Sequence, residues 1–183
     1  LKSKLDSILI QVNQSAKEIT TLRKQKALEF TIKVMEQLKS LYLGKVVFEI
    51  DFQKSSLQKN GQDIITFLVS TNSGQTLQPL NKIASGGEMS RIMLAIKTLS
   101  LSSGSLETII FDEADSGVSG KVAESIGAKM KCTAKKYQVL CISHLAQVAS
   151  FANHHYLIEK TSNDDNTSVK VSELSEEKSI LEI

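Results

Sequence analysis

Apolar and polar residues alternate over the first forty positions with the spacing of a coiled coil. Apolar side chains and one serine recur at intervals of four and three, at Leu1, Leu5, Ile8, Val12, Ser15, Ile19 and Leu22. A second set continues one position out of step, at Ala27, Thr31, Val34, Leu38 and Leu41. This spacing predicts one long helix, or two joined helices, to about Leu43. Its apolar stripe needs a partner helix, unless the helix packs on the surface of its own domain.

Two strands are predicted after this helix. Gly44 ends the helical pattern, and residues 45–52 form an alternating, mostly apolar segment. Asn60 and Gly61 make a dipeptide that favours a tight hairpin turn. A second apolar run covers residues 63–69 and is followed by turn residues at 72–74. The pattern therefore predicts an antiparallel β-hairpin on the N-terminal side of the remaining chain.

The next segments are predicted to alternate between helix and strand. A helix follows the single proline, and its expected buried face carries Ile92, Met93, Ala95, Ile96 and Leu99. Continuous apolar runs at 108–111 and 138–142 are separated by a helical stretch at 122–136. Runs of this kind are typical of parallel strands that are covered on both faces.

Two further strands are predicted near the C-terminus. They cover residues 155–158 and 168–171 and enclose a polar loop at 161–167. The acidic residues from Glu173 onward are expected to form a short helix or a frayed end. Together the patterns indicate an α/β fold with parallel core strands, an N-terminal hairpin and a coiled-coil helix.

Composition narrows the class of protein. The chain has 183 residues and a net charge of +2, so its overall charge gives no sign of a nucleic-acid partner. Cys132 and Cys141 lack the spacing of metal ligands and are too few for a disulfide framework. We expect both to be reduced residues in or near the core of a cytosolic protein. No apolar run reaches the roughly 20 residues of a membrane span, and the chain begins at Leu1 without Met, which suggests a fragment.

A Ser-Gly-Gly turn precedes the first helix of the second half. Backbone N–H groups at a helix N-terminus, together with the Ser85 hydroxyl, are suited to phosphate oxygens. Gly86 and Gly87 would let the backbone approach the ligand closely. The alternative is purely structural, because Ser85 and Glu88 have the spacing of a capping box.

Polar residues also end each of the two predicted parallel strands. Asp112 and Glu113 end the first strand, at the edge where open α/β sheets place ligands. One carboxylate there would hold Mg²⁺, directly or through water, and the other would activate an attacking water. Ser143 and His144 end the second strand, and His144 could contact a γ-phosphate. Helix caps and an ordinary structural histidine are the alternatives for these residues.

A third glycine-rich segment imitates a phosphate-binding loop. Gly117, Gly120 and Lys121 have too few residues between the glycines for a P-loop, and Val122 replaces the hydroxyl that would ligate Mg²⁺. The chain therefore contains no Walker A motif. We expect no ATP hydrolysis by this chain alone, and a simple loop followed by a helix at these residues.

The order of these motifs resembles the C-terminal lobe of an ATP-binding-cassette ATPase head. The segments "ASGGEMSRIMLAIKTL", "TIIFDEADSGVSGKVA" and "ISHLAQVASFANHHYLIEK" are similar to those of the RecN family, SMC-like ATPases of bacterial DNA repair. The resemblance implies the C-terminal lobe of an ABC/SMC-type P-loop ATPase head over residues 44–183. Residues 1–43 would be the descending segment of a coiled coil.

The resemblance also implies site residues, cofactors and partners. Ser85, Gly86 and Gly87 would bind, in trans, the γ-phosphate of ATP on a second head, and Glu88 would shape this signature loop. The implied cofactors are ATP and Mg²⁺. The implied partners are the N-terminal half of the same protein, a second head in a homodimer, and DNA, with no membrane.

The same resemblance implies roles for the strand-end residues. Asp112 would hold the Mg²⁺ shell, Glu113 and His144 would be the catalytic carboxylate and the γ-phosphate sensor, and Asp115 would lie in the D-loop. The implied function is ATP-dependent head dimerisation and Mg²⁺-dependent ATP hydrolysis in double-strand break repair and recombination, in the cytoplasm and associated with the nucleoid. The alternatives are a head fragment of another SMC-like ATPase or ABC transporter, and a non-enzymatic coiled-coil interaction module.

Overall fold

The fold is given by a computed structural model that describes residues 2–72, 74–83, 86–101, 108–112, 114–163 and 166–183, without the side chains of 162, 163 and 166. The chain divides into two compact units, Leu1–Met89 and Ser90–Ile183. The predicted functional division after residue 43 is a different boundary and stays a prediction.

A single long helix opens the first unit. Helix α1 covers Lys2–Ser40 and so ends three residues before the predicted limit at Leu43. The chain then turns at Tyr42, which has a φ of 59°. Along α1 the first apolar stripe is exposed, with Leu5 and Leu22 keeping 58% and 60% of their accessible surface. In the second stripe, Val34, Leu38 and Leu41 are all completely buried. The one-position offset in the sequence therefore separates a bare stretch of helix from a packed one.

The predicted hairpin is confirmed, with longer strands. Strands β1 (Val47–Gln58), β2 (Gly61–Ser70) and β3 (Gln78–Pro79) form an antiparallel sheet in the order β1-β2-β3. A bulge interrupts the β1–β2 register between Lys54 and Gln58. The sequence prediction stopped β1 at Phe52 because the later residues of this strand are polar. Backbone pairing nevertheless continues, since a ladder does not require an apolar face.

Helix α1 packs on this hairpin through an aromatic cluster. Phe30 of α1 lies 6.4 Å from Phe48 of β1 and 6.2 Å from Phe67 of β2, measured between ring centroids. The Phe48 and Phe67 rings are 5.5 Å apart and tilted by 59°. These offset and edge-on arrangements are the favourable ones for aromatic rings. Phe48 is almost fully buried, so the cluster forms the centre of the first unit.

A polar clamp fastens the tip of the hairpin to the same helix. Thr20 Oγ1 donates to Asp63 Oδ1 at 2.7 Å, and Arg23 Nη1 donates to Asp63 Oδ2 at 3.0 Å. Arg23 Nη2 also donates to the carbonyl of Asn60 in the turn, at 2.7 Å. The Thr20 hydroxyl, and then the Arg23 guanidinium, lower the pKa of Asp63 against the opposing effect of burial. At the turn, Gly61 has a φ of +109°, a conformation that favours glycine.

Helix α2 covers Gly86–Ser100 and carries the predicted amphipathic pattern. Its fully buried residues are Ile92, Leu94, Ala95 and Ile96. Met93 and Leu99, which were predicted on the buried face, are only half-buried, and Leu94 takes the buried position instead. Burial therefore extends around α2 to Leu94, beyond the single face that a period of 3.6 residues selects.

The predicted parallel strands are confirmed in the second unit. Strand β4 (Thr108–Asp112) pairs in parallel with β5 (Gln138–Ile142), and helix α3 (Gly120–Ala134) lies between them in sequence. The expectation that both faces are covered is wrong for the described chain. Ile109 and Phe111 are buried, but the other face leaves three apolar side chains exposed, Ile110, Leu140 and Ile142. Within the described residues of this unit, no element covers that face.

The remaining elements complete the second unit. They are helix α4 (Ala146–Ala149), the antiparallel strands β6 (Tyr156–Asn163) and β7 (Asn166–Glu173), and helix α5 (Glu176–Glu182). The two strands extend into most of the region predicted as a polar loop. The acidic C-terminal residues, expected to form either a short helix or a frayed end, form helix α5. Helix α3 packs on α4, and Gly127 of α3 faces the Phe151 ring. In the described part of the chain, no helix has both the length and the apolar character for crossing a membrane.

The prediction for the two cysteines is wrong in one respect. Cys132 and Cys141 are free thiols, but both residues are exposed rather than in or near the core. Cys132 lies on an outward position of α3, and Cys141 lies on β5, where four of the five residues are exposed. Apolar sequence surroundings therefore misled the prediction, because the uncovered sheet leaves apolar residues accessible.

Candidate functional site

The parallel strands bring two predicted site segments to one edge of the sheet. Asp112 is the last residue of β4, and it pairs with Ile142, the last residue of β5. The chain segments that follow both strands therefore leave from the same edge, where α/β sheets bind ligands. Asp112 and His144 are exposed, while Glu113 lies outside the described residues. The two strands, predicted only to be parallel, thus end side by side at this edge.

A buried hydrogen bond joins the two loops at this edge. The Ser143 hydroxyl donates to Oδ2 of Asp115, whose side chain is completely buried. Ser143 Oγ also accepts the backbone N–H of Leu145 at 3.1 Å. Sequence reasoning placed Asp115 in the D-loop and did not foresee this contact. The available signal was that both polar residues closely follow neighbouring parallel strands.

Asp115 has a second feature that marks it among the buried residues. Its Oδ1 atom is buried and has no hydrogen-bond partner in the part of the chain that the structure describes. A buried carboxylate oxygen without a donor costs free energy, because water no longer hydrates it. The buried Asp115 carboxylate therefore lowers the stability of the fold, and the hydrogen bond described for its side chain is the one from Ser143.

The strand-end edge has a negative electrostatic character. The pKa of the Cys141 thiol is raised to about 11, first because surrounding atoms partly exclude water from the sulfur, and then because of the Asp115 and Asp112 carboxylates. Cys141 is exposed as a residue, so this desolvation is local to its thiol. A negative edge favours a cation, and Mg²⁺ is commonly held by one or two carboxylates together with substrate phosphates. No cluster of three or more His, Cys, Asp or Glu side chains that could hold a metal ion occurs among the described residues.

The predicted signature turn leads directly into helix α2. Gly86 is the first residue of the helix, and Glu88 lies in its first turn. A Cβ atom added at Gly86 would meet no heavy atom within 4 Å, so the backbone is open to approach there. Ser85 lies outside the described residues, and with it the capping box that it would form with Glu88. Gly87, the second residue of α2, completes the described part of the turn.

The segment that imitates a P-loop is a loop followed by a helix, as predicted. Gly117 and Gly120 have φ values of 69° and 54°, and α3 begins at Gly120. Lys121 is exposed in the first turn of this helix. The glycines therefore serve the backbone turn before α3.

Sequence comparisons identify the relatives of the chain. It is 40% identical to the DNA repair protein RecN of Halalkalibacterium halodurans over 188 aligned positions, covering all of this chain and 33% of that protein. Over its whole length, the chain is RecN-like. It is also 39% identical to RecN of Bacillus subtilis, covering all of this chain and 34% of that protein. No family model matches the chain. This RecN-like chain corresponds to the C-terminal part and spans about a third of the length of the curated relatives it matches.

Solved structures with the same fold are SMC head domains. The chain aligns with an Smc head with a coiled coil and joint from Pyrococcus yayanosii at a TM-score of 0.68 and 17% identity, covering 98% of this chain and 33% of that one. It aligns with an Smc head of Pyrococcus furiosus, bound to the C-terminal domain of ScpA, at a TM-score of 0.62 and 18% identity, with 98% and 43% covered. The RecN-like chain therefore has the fold of the corresponding part of an SMC head, and the predicted fold class is confirmed.

Proposed function

We propose that this chain is the C-terminal part of an SMC-like ATPase that acts in DNA double-strand break repair and recombination. The observation that carries the proposal is the pairing of β4 with β5, which gathers the Asp112 end and the His144 loop at one edge. The similarity to RecN proteins over the whole chain supports the DNA repair context. We place the protein in the cytoplasm, associated with the nucleoid, with DNA as a partner of the intact form.

The proposed reaction is ATP hydrolysis between two heads. When bound with ATP, Mg²⁺ supplies neutralisation of the phosphate charge. Asp112, which is exposed at the end of β4, would hold the Mg²⁺ shell, directly or through water. Glu113 would accept a proton from the attacking water, and His144 would donate a hydrogen bond to the γ-phosphate. Asp115 would belong to the D-loop.

The signature turn would complete the site of a second head. Ser85, Gly86 and Gly87 would donate hydrogen bonds to the γ-phosphate of ATP held by the partner head, and Glu88 would shape the turn. The start of α2 at Gly86 supports this role, because N–H groups at a helix N-terminus favour anions. ATP-dependent dimerisation of heads follows, since the bound nucleotide would be contacted from both sides.

The N-terminal half of the same protein is the proposed partner for the bare surfaces. The exposed stripe of α1 that contains Leu5 and Leu22 has the spacing of a coiled-coil seam and would pair with an ascending helix. The exposed face of β4 and β5, formed by Ile110, Leu140 and Ile142, would be covered by the missing lobe. Parallel sheets are normally covered on both faces, which supports this assignment.

ATP turnover by this chain, alone and mixed with the segment that precedes it in the full-length protein, tests the proposal. We expect turnover only in the mixture, because this chain has no Walker A motif. Glu113→Gln should preserve ATP binding and slow turnover by roughly 10²–10⁴-fold, the usual contribution of a positioned base. A mixture that assembles without hydrolysing ATP would instead favour a non-enzymatic interaction module.

The signature turn is tested separately by dimerisation. Ser85→Arg in the intact protein should prevent ATP-dependent head pairing, measured by size-exclusion chromatography with light scattering, while each monomer still binds ATP. Ser90→Arg, one turn further along α2, is the matched control for the added charge. Head pairing that survives Ser85→Arg would argue against a phosphate contact in trans.

A further inference from the structure

The loop that carries His144 is anchored on both sides of this residue by one hydroxyl. Ser143 Oγ donates to the buried carboxylate of Asp115 and accepts the N–H of Leu145. Leu145 is also the residue from which helix α4 starts. The backbone is therefore tied immediately before and after His144, while the imidazole itself is exposed.

The hydrogen bond between Ser143 and Asp115 joins the loops that follow two different strands. Asp115 follows β4, three residues after Asp112, and Ser143 follows β5 directly. The β4–β5 ladder holds the two strands in register up to the Asp112 and Ile142 pair. Beyond that pair, the hydrogen bond between Asp115 and Ser143 continues the connection into the two loops.

The stability of the fold does not explain why a carboxylate is buried at position 115. The carboxylate is completely buried, and one of its oxygens has no donor among the described residues. A buried charge with incomplete hydrogen bonding is often no better for stability than an apolar residue of similar size, and it can be worse. What the carboxylate adds is a directional acceptor for the Ser143 hydroxyl, which connects the two loops beyond the end of the β4–β5 ladder.

We propose that Asp115 is a positioning residue for His144, acting through Ser143. The hydrogen bond fixes the His144 loop to the loop that follows β4, so that the imidazole keeps its place relative to Asp112. This role rests on the proposed ATPase function and deepens it. In this proposal, the Asp115 side chain acts within the same head that carries His144.

Two variants break the link and two serve as comparisons. Ser143→Ala removes both hydrogen bonds of the hydroxyl, and Asp115→Ala removes the acceptor. Ser143→Thr keeps a hydroxyl and should restore the behaviour of the unmodified protein. Ser150→Ala is the matched control, because Ser150 Oγ donates to the nearby Gln147 carbonyl at 3.2 Å, at the other end of α4.

The first readout is amide hydrogen exchange in this chain, which requires no nucleotide. Exchange at the Leu145 amide should become about tenfold faster in Ser143→Ala, since a lost hydrogen bond exposes this N–H. The Tyr137 amide, which bonds the Thr133 carbonyl at 3.2 Å, should not change. Unchanged exchange at Leu145 would overturn the proposed link.

The second readout is ATP turnover by the intact protein. Ser143→Ala and Asp115→Ala should each lower kcat about tenfold with the KM for ATP changed less than twofold. The double variant should be no slower than the slower single variant, because both remove the same link. Normal kcat in Ser143→Ala, despite faster exchange at Leu145, would overturn the positioning role and leave the ATPase proposal standing. An intact protein without any ATP turnover would instead remove the ATPase proposal, and with it the positioning role.

Discussion

Replacing Gly127 by alanine is the sharpest test of the packing between α3 and α4. A Cβ atom at Gly127 would lie 2.4 Å from Cδ2 of Phe151, and 3.1 Å from both Cε2 and Cγ of the same ring. Ordinary contacts between carbon atoms are about 3.5–4.0 Å. The ring would therefore have to move by about 1 Å, or α3 would have to separate from the turn after α4 that carries Phe151.

The expected change is a balance of two opposing terms. Alanine in a helix interior is favoured over glycine by about 0.8–1 kcal/mol. Forcing an extra methyl group into a packed site costs about 1–3 kcal/mol. The net expectation for Gly127→Ala is a loss of about 1 kcal/mol in the free energy of unfolding. Since the clash is with a single ring, Gly127→Ala in a Phe151→Ala background should instead stabilise by up to about 1 kcal/mol.

Urea unfolding followed by circular dichroism measures both effects. Ala128→Gly, at the exposed neighbouring position of the same helix, calibrates the helix term and should cost about 1 kcal/mol. A stabilising Gly127→Ala in the presence of Phe151 would contradict the expected clash. The same Gly127→Ala effect in both backgrounds would also contradict it, because the Phe151 ring would then not be the obstacle.

Two further predictions concern titratable groups. Because the pKa of Asp63 is lowered in the folded chain, its ionised carboxylate contributes its full stabilisation above the unfolded pKa of about 3.8. This stabilisation is lost as the pH falls through the lower pKa of the folded chain. The stability difference between the unmodified chain and Asp63→Asn, measured by urea unfolding, should therefore shrink below about pH 4. The Cys141 thiol, with its pKa raised to about 11, should react with a maleimide at pH 8 about tenfold more slowly than an unperturbed thiol, because its lower thiolate fraction outweighs its greater nucleophilicity. Mass spectrometry of partially labelled chain measures this rate, and equal labelling of Cys141 and a model thiol would contradict the assignment.

The sequence was most informative where a local pattern determines the structure. Asn60 and Gly61 predicted the hairpin turn, and the continuous apolar runs predicted the parallel pairing of β4 and β5. Strand ends were less predictable, because β1 and the two C-terminal strands continue into polar residues. Strand propensity and apolar alternation indicate which side chains are buried. Backbone hydrogen bonding can continue past the last buried side chain, so these patterns underestimate strand length.

The contact between Asp115 and Ser143 illustrates what the sequence could not provide. The two residues are separated by 28 positions, and neither has a spacing that marks it as one half of a pair. Parallel pairing predicts only that the loops leave from one edge. Which polar side chains meet beyond the edge depends on the loop conformations and on the start of α4, and these are set by packing in three dimensions.

The change of register in α1 has a physical reason that the sequence alone left open. Before Lys26, the stripe of the predicted seam is exposed, apart from contacts near the hairpin tip. After it, the stripe containing Val34 and Leu38 is buried against the hairpin that begins at β1. A helix that turns about 100° per residue must offset its apolar positions if it is to face a second partner in another direction. The Asp63 clamp lies next to this transition, so the hairpin is fixed to α1 at the point where the exposed seam gives way to the packed one.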